Sequence, residues 1–431
     1  MKKIIIFTTV FFCGILTFAQ TYTSAQNGNW MNPLTWSPIG VPIPGNTIII
    51  NHTVTLDTSF VVPSGSITVN TSGSLLQDAA GRDIMVNGGT FTNNGVVDLR
   101  YLLLSSGNFS NAGVFNISSF ANYININNTG TIQNVDSLYN DGTLNNNGII
   151  KVKTFYNNQT LNNYNQLVGW TNKIDSLYNA GTLLNDANAV LKADSATNAG
   201  TFTNNGRVYY NYFTNSGVFT NANFLTSFDM TNTGTYDNTD TLLITNSLWN
   251  TENIYNTGFI NISNDVLNDD NVNNDASFVN YGFVNVADSW YNMDTVRSNY
   301  GSWVVQDTSY NSGFMIGGFD FCDQTPPASS PYVDFNFGTI DNNITYCIAT
   351  NLNLIHANET IYLYPNPSTG KIFTSSNKNY RIEVFNNLGQ LIVEKQNTKS
   401  IDFSNYEKGI YLVKIWDDNH RLILSDKIII E

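Results

Sequence analysis

The side chains best suited to chemistry are few and scattered. Beyond residue 19 the chain has three histidines, His52, His356 and His420. Between residues 20 and 350 its cations are Arg82, Arg100, Lys151, Lys153, Lys173, Lys192, Arg207 and Arg297, which do not bunch in sequence. Cleaving a polysaccharide takes carboxylates paired for acid and base work, or acidic residues holding calcium beside an Arg or Lys base. The run NDDNVNNDAS at 268–277 concentrates oxygen ligands without the order of an EF-hand calcium loop, and reads as a solvated corner. Six triplets set a carboxylate beside a hydroxyl and an inward residue: Asp136-Ser137-Leu138, Asp175-Ser176-Leu177, Asp194-Ser195-Ala196, Asp240-Thr241-Leu242, Asp288-Ser289-Trp290 and Asp294-Thr295-Val296. Asp followed by Ser or Thr forms a hydrogen-bonded turn, so these too read as corners. No catalytic centre, metal or cofactor is expected.

The element that would position such residues is a repeat. In FTNSGVFTNANFLTSFDMTNTGTY, residues 213–236, an apolar residue returns about every six positions, at Phe213, Phe219, Leu225, Met230 and Tyr236. Helices count 3.6 and strands count two, so neither alone explains the beat. It runs through Met85, Phe91, Val97, Leu103, Phe109 and Phe115, slips to Phe120, and continues as Ile126, Ile132, Leu138, Leu144 and Ile150. From Met230 it holds steps of six through Tyr236, Leu242, Leu248, Ile254, Ile260, Val266, Val272 and Phe278. Three beats make 17 or 18 residues, and at that scale the text itself recurs, as in LYNDGTLNNNGIIKVKT and MTNTGTYDNTDTLLITNS.

The spacing predicts an all-β fold, a triangular parallel β-solenoid of 17–18 residues per coil with the beat residues inside. Coils stacked at about 4.8 Å would place roughly 14 of them over residues 67–318. Asn and Gly, which tolerate the left-handed backbone region, are expected at the corners, with Asn side chains stacking into ladders. So short a unit argues against a propeller or a sandwich for this region.

The start of the chain reads as an export signal. MKK is basic, IIIFTTVFFCGILTF is apolar, and Thr17-Phe18-Ala19 suits cleavage before Gln20. Val10-Phe11-Phe12 is too bulky to precede a lipid-modified Cys13. No segment of the mature chain is expected to cross a bilayer as a helix. Two cysteines then remain, Cys322 and Cys347, an even number in an exported chain, and a disulfide is the favoured reading. Zinc is the rival, although two thiols without nearby His or further Cys make a poor tetrahedral site. Residues 27–57, with Trp30-Met31-Asn32-Pro33-Leu34-Thr35-Trp36 and then PGNTIII, resemble the opening of β-helical surface proteins from the Bacteroidota. Pro326, Pro327 and Pro331 break the beat at the far end. The expected organisation is an export peptide at 1–19, a cap at 20–66, coils at 67–318, a disulfide-containing cap and linker at 319–358, and a terminal domain at 359–431.

That terminal domain changes character. Residues 20–350 hold 8 basic and 24 acidic residues, a net charge of −16, whereas residues 351–431 hold 9 of each. The stretches IYLYPNPSTGKIF, YRIEVFNNLGQLIVEK, IDFSNYEKGIYLVKIWDDNH and LILSDKIII read as successive strands between Gly/Asn/Asp turns. They resemble the type A C-terminal sorting domain of the type IX secretion system, and the resemblance implies a small immunoglobulin-like β-sandwich. The matching residues are Tyr364, Pro365, Asn366, Pro367, Gly370, Gly389, Lys408, Gly409 and Tyr411. The resemblance implies two partners, the outer-membrane type IX machinery and its sortase-like peptidase, and a location outside the cell or on the outer face of the outer membrane. The triplets, in turn, resemble Asp-Ser/Thr-apolar acceptors of protein O-glycosylation in Bacteroidota, at Ser137, Ser176, Ser195, Thr241 and Thr295.

The acidic rod repels phosphate and has no basic patch, which excludes nucleic acid as a partner. A long polar surface studded with Tyr suits a glycan or another surface. The expectation is a non-catalytic rod with an adhesin-like or scaffold role, and the alternative is a polysaccharide lyase or glycoside hydrolase built on a parallel β-helix.

Overall fold

The computed structural model describes residues 19–269, 276–347, 363–366, 368, 370–374, 378–386, 391–416 and 422–430. The export peptide therefore lies almost wholly outside the described residues, as do His356, His420, Pro367 and Gly389. The chain divides into two compact units, Met1–Tyr346 and Cys347–Glu431.

The first unit is a parallel β-solenoid. Strand Tyr212–Asn215 pairs with Asp229–Asn232, Val218–Asn221 with Thr235–Asn238, and Phe224–Ser227 with Thr241–Ile244, all parallel and in register. Each strand thus stacks on the third strand after it, which is the signature of three walls wound as one coil. Alternation within each four-residue strand sends the second and fourth side chains inward. The second is the beat residue: Phe213, Phe219, Leu225, Met230 and Tyr236 are all buried. Phe213 meets Phe219 at 5.0 Å between ring centroids, and Phe219 stacks on Tyr236 of the next coil at 5.1 Å. Burying each such side chain contributes about 1.5–3 kcal/mol.

The fourth inward residue decides the corner. On two walls it is Asn, and the amides form unbroken chains along the rod. Asn93 donates to Asn111, Asn111 to Asn128, and the chain continues through Asn204, Asn221 and Asn238 to Asn256 and Asn280. The second chain runs from Asn122 through Asn198, Asn215 and Asn232 to Asn311 and Asn336. Sequence steps between partners are 17 or 18 in regular coils, 22 at Asn157–Asn179 and 24 at Asn256–Asn280, where insertions lengthen the coil.

The third corner has no such chain. Its inward residues are Ser227, Ile244, Ile262, Val286 and Val305 in successive coils, so it is closed mainly by apolar contact. Earlier in the rod the second and third walls merge into long bent strands, Val114–Asn122, Thr131–Asn140 and Ile149–Asn157, with irregular register at the bend.

Three expectations are corrected. Met85 is exposed and Leu103 only half-buried, because their neighbours Ile84, Val86, Leu102 and Leu104 take the inward positions. Phe278 pairs with Ile254, so the coil between them is 24 residues, six more than three beats, and Val272 lies outside the described residues. The ladder asparagines are not there for a left-handed backbone: non-glycine residues with positive φ among the described residues are Asn134, Asn172, Cys347 and Asn397, none on a ladder. Glycine at these corners answers to space. A Cβ built on Gly217 would stand 2.1 Å from the Gly200 carbonyl oxygen of the preceding coil.

At the start of the rod, Trp30 packs edge-on against Trp36 at 5.1 Å, and its carbonyl accepts from the Trp36 indole N–H at 2.8 Å. Thr21–Ser24 pairs with Thr47–Ile50 in parallel, so stacking already begins there. At the far end, Phe335–Asn336, Thr339–Ile340 and Thr345–Tyr346 continue the three ladders past the prolines.

The second unit is antiparallel. Leu363–Tyr364, Lys371–Thr374 and Ser400–Asp402 form one sheet, and Leu391–Thr398, Tyr380–Phe385, Gly409–Trp416 and Leu422–Ile430 form the other. Leu363, Ile372 and Ile401 from the first share a core with Ile382, Val384, Val413 and Ile428 from the second, a small sandwich.

Candidate binding wall and sorting tail

The wall that carries the Asn215 ladder also presents an ordered outer surface. Because the ladder Asn points inward, the residue before it must point outward. Those residues stack in register as Tyr139, Tyr156, Tyr178, Thr197, Thr214, Thr231, Trp249, Leu267, Tyr291 and Tyr310. Tyr139 and Tyr156 lie parallel, 4.8 Å between centroids and 5° between planes. Two aromatic stretches thus flank three threonines. Trp249 is 46% exposed, a large apolar surface for a polar rod.

Around Trp249 the wall hollows into a groove of about 500 Å³, lined by Tyr212, Asp229, Ser247, Asp265, Leu267 and Tyr291 among others, with no basic side chain. Asp229 Oδ1 accepts from Asn246 Nδ2 at 2.7 Å and from the Ser247 amide at 3.2 Å. Asp265 Oδ1 accepts from the Ser289 amide at 3.2 Å. Both carboxylates are thereby fixed by one oxygen.

A second hollow, of about 430 Å³, gathers Asp83, Arg100, Tyr101, Ser119 and Asp136. Here Arg100 binds Asp83 through both oxygens, at 2.9 and 2.6 Å. That pairing pushes the guanidinium pKa further up, and burial, with the charges of Tyr123 and Asp83 behind it, pushes the Tyr101 phenol up. Both groups hold their protons more tightly than usual, the opposite of what a general base requires.

The remaining candidates are dispersed. His52 Nδ1 sits 2.7 Å from the Ser24 carbonyl, a structural contact near the start of the rod. Lys173 meets Asn211 Oδ1 at 2.5 Å, Lys192 meets Asn172 Oδ1 at 3.0 Å, and the Arg297 Nε meets Ser277 Oγ at 3.2 Å. In NDDNVNNDAS, Asn268 is a ladder residue and residues 270–275 lie outside the described residues. Among the described residues no three His, Cys, Asp or Glu side chains are grouped to hold a metal ion. Cys322 and Cys347 are both disulfide-bonded. The residues before them, Phe321 and Tyr346, are register partners on adjacent coils.

Ser137, Ser176 and Ser195 fall in one column on the aromatic wall, joined in register through Thr154. Thr241 and Thr295 stand on the other two walls. Thr241 Oγ1 donates to Asp240 at 2.9 Å and Ser289 Oγ to Asp288 at 3.1 Å, the corner geometry expected of Asp-Ser/Thr. The column of outward aromatics was not anticipated from the sequence. Its signal is the recurring residue just before each ladder Asn, as in Asp136-Ser137-Leu138-Tyr139-Asn140 and Asp175-Ser176-Leu177-Tyr178-Asn179.

In the tail, Asn366 stitches the first segment to the last strand, donating to the Lys427 carbonyl at 2.8 Å and accepting from the Ile429 amide at 2.9 Å. Tyr364 packs near Phe373, with Pro365 following a cis bond. The Gly370 carbonyl accepts from the Phe403 amide at 2.6 Å. Lys408 is exposed, Gly409 opens the strand Gly409–Trp416, and the Tyr411 hydroxyl donates to the Glu407 carbonyl at 2.5 Å. A buried Tyr bonded back to the backbone a few residues upstream is the device that pins corners in immunoglobulin-like sandwiches.

Fold and surface together define a β-solenoid rod followed by a small β-sandwich tail. The tail, residues 362–431, matches the family of secretion system C-terminal sorting domains. No curated protein matches the sequence at significant similarity. The sorting domain indicates secretion through the type IX system. Among the described residues no helix is long and apolar enough to cross a membrane.

Proposed function

We propose that this protein is a non-catalytic adhesive rod displayed on the outer face of the cell, delivered there by its sorting tail. The observation that carries the reading is the outward aromatic column on one wall of the rod. Solenoid walls need apolar side chains inside, and nothing in the packing of the coils asks for Trp249, Tyr139 or Tyr178 to face water. Repeating that surface along a stiff axis multiplies weak contacts into avidity. The tail supports the destination, since the sorting domain family is one of secretion. In the hollow that holds Asp83, Asp136 and Arg100 together, Arg100 is engaged by Asp83, which favours binding over catalysis.

The test has two arms. An epitope placed in the rod should label intact cells that possess a type IX system, and deleting residues 362–431 should trap it inside; an epitope found in the medium alone would defeat surface display. Incubating the purified protein with neutral and acidic polysaccharides should release neither reducing ends nor unsaturated uronates. Release of either would favour the lyase or hydrolase reading instead.

A further inference from the structure

The groove around Trp249 has a more definite chemistry than the wall as a whole. Five consecutive coils build it, contributing in order Tyr212, Asp229, Trp249, Asp265 and Tyr291. At about 4.8 Å per coil these span roughly 19 Å along the rod axis. The two carboxylates belong to coils one apart from Trp249 on either side, so they stand roughly 10 Å from each other along that axis. Each spends Oδ1 on the wall itself and has no protein partner for Oδ2 among the described residues. The groove therefore offers two hydrogen-bond acceptors about 10 Å apart along the axis, with an aromatic surface between and beyond them. An occupant must bring donors at a matching distance and an apolar face to cover the rings. It must also carry no negative charge, because no basic side chain lines the groove and residues 20–350 carry −16.

We propose that this groove binds one extended neutral glycan chain, laid along the direction of coil stacking, with Trp249 as central platform and Asp229 and Asp265 accepting from its hydroxyls. This rests on the adhesive reading and adds its site and ligand class. Pyranose rings supply both requirements at once: equatorial hydroxyls at their edges and C–H groups on their faces. A uniform polymer also repeats, as the coils do. A basic peptide would satisfy the carboxylates and stack a cation on Trp249, but it has no reason to follow the coil spacing.

The test is calorimetric titration of the full secreted chain with a panel of neutral hexasaccharides, β-1,4-linked glucose, xylose, mannose and N-acetylglucosamine and β-1,3-linked glucose, beside polygalacturonate and a lysine-rich peptide. At least one neutral hexasaccharide should bind, with an affinity little changed between low salt and about 0.5 M salt. Trp249→Ala should weaken it by about tenfold or more. Asp229→Asn and Asp265→Asn, which can keep the wall contacts but turn a donor into the groove, should each weaken it several-fold. Tyr255→Ala, an exposed aromatic on another wall of the rod, should leave it unchanged. Silence across the neutral panel, or binding indifferent to Trp249→Ala, overturns the proposal. So does salt-sensitive capture of the lysine-rich peptide through Asp229, which would assign the groove to a basic protein. Cells displaying the Trp249→Ala chain separate the two readings: undiminished adhesion sinks the groove and leaves the adhesive rod standing.

Discussion

Asn215 donates its side-chain amide to Asn232 Oδ1 at 2.8 Å and accepts at 2.8 Å from Asn198, so one buried residue closes the joint between three coils. Its Nδ2 also reaches the Thr235 carbonyl at 2.9 Å. In such a chain every member satisfies its neighbours, and removing one leaves two buried polar groups stranded.

Asn215→Ala should therefore destabilise the rod by about 2–4 kcal/mol, more than a single lost hydrogen bond, because Asn198 and Asn232 each lose a partner. Asn215→Asp should be worse, since it aims a buried carboxylate at the Asn232 and Thr235 oxygens. Asn145→Ala, in the outward row where Asn145 bonds Asn127 at 2.9 Å in solvent, should cost under about 1 kcal/mol. Urea unfolding followed by tryptophan fluorescence measures all three.

Gly217→Ala puts a methyl carbon where the Gly200 carbonyl oxygen already sits. The coil must shift to admit it, and a cost of about 1–3 kcal/mol is expected. Hydrogen exchange should show the added opening centred on the amides of Gly217 and Val218, which bond to Asn198 and Gly200 of the preceding coil.

Asp237 is half-buried beside Thr220 and Tyr255, and burial raises its carboxyl pKa. The folded state binds this proton more tightly than the unfolded state does. Its contribution is therefore most favourable below the unfolded carboxylate pKa and is lost as pH rises through the raised folded value. Asp237→Asn should stabilise the rod at neutral pH, and the gain should shrink as pH falls into the carboxylate range. Thermal melts of both forms at neutral and acid pH check the sign.

Much of this architecture was legible because it is periodic. One inward residue per wall leaves a beat of six that survives changes of residue type, from Phe213 to Met230 to Leu248 on one ladder. Reading failed where periodicity is overwritten. In Asp83-Ile84-Met85-Val86 and Tyr101-Leu102-Leu103-Leu104 apolar residues occupy both faces, so spacing alone chose the wrong one, and a slip of one residue turns the side chain outward. The Asn ladders were legible from the recurring corner Asn, whereas the left-handed backbone expected with them is not adopted there, because what the corners use is the side-chain amide. The groove at Trp249 was hidden because its parts come from coils 17 to 24 residues apart in sequence and meet only once the register is known.

Tyr411→Phe should loosen the tail by about 0.5–1.5 kcal/mol, the value of one hydroxyl-to-carbonyl bond, here to Glu407. Exchange protection should fall at the start of the strand Gly409–Trp416, and the yield of secreted chain should fall with it. An unchanged yield with lowered protection would separate tail stability from recognition by the export machinery.

Every amide in the two Asn chains passes its hydrogen bond toward the C-terminal neighbour, and each joint is chemically the same as the next. Deleting one coil would bring Asn198 against Asn232 as an equivalent pair, and duplicating one would create another. The rod's reach can thus grow or shrink by tandem duplication in whole steps without redesign of the remaining joints, so length is the trait that evolution can tune most freely here.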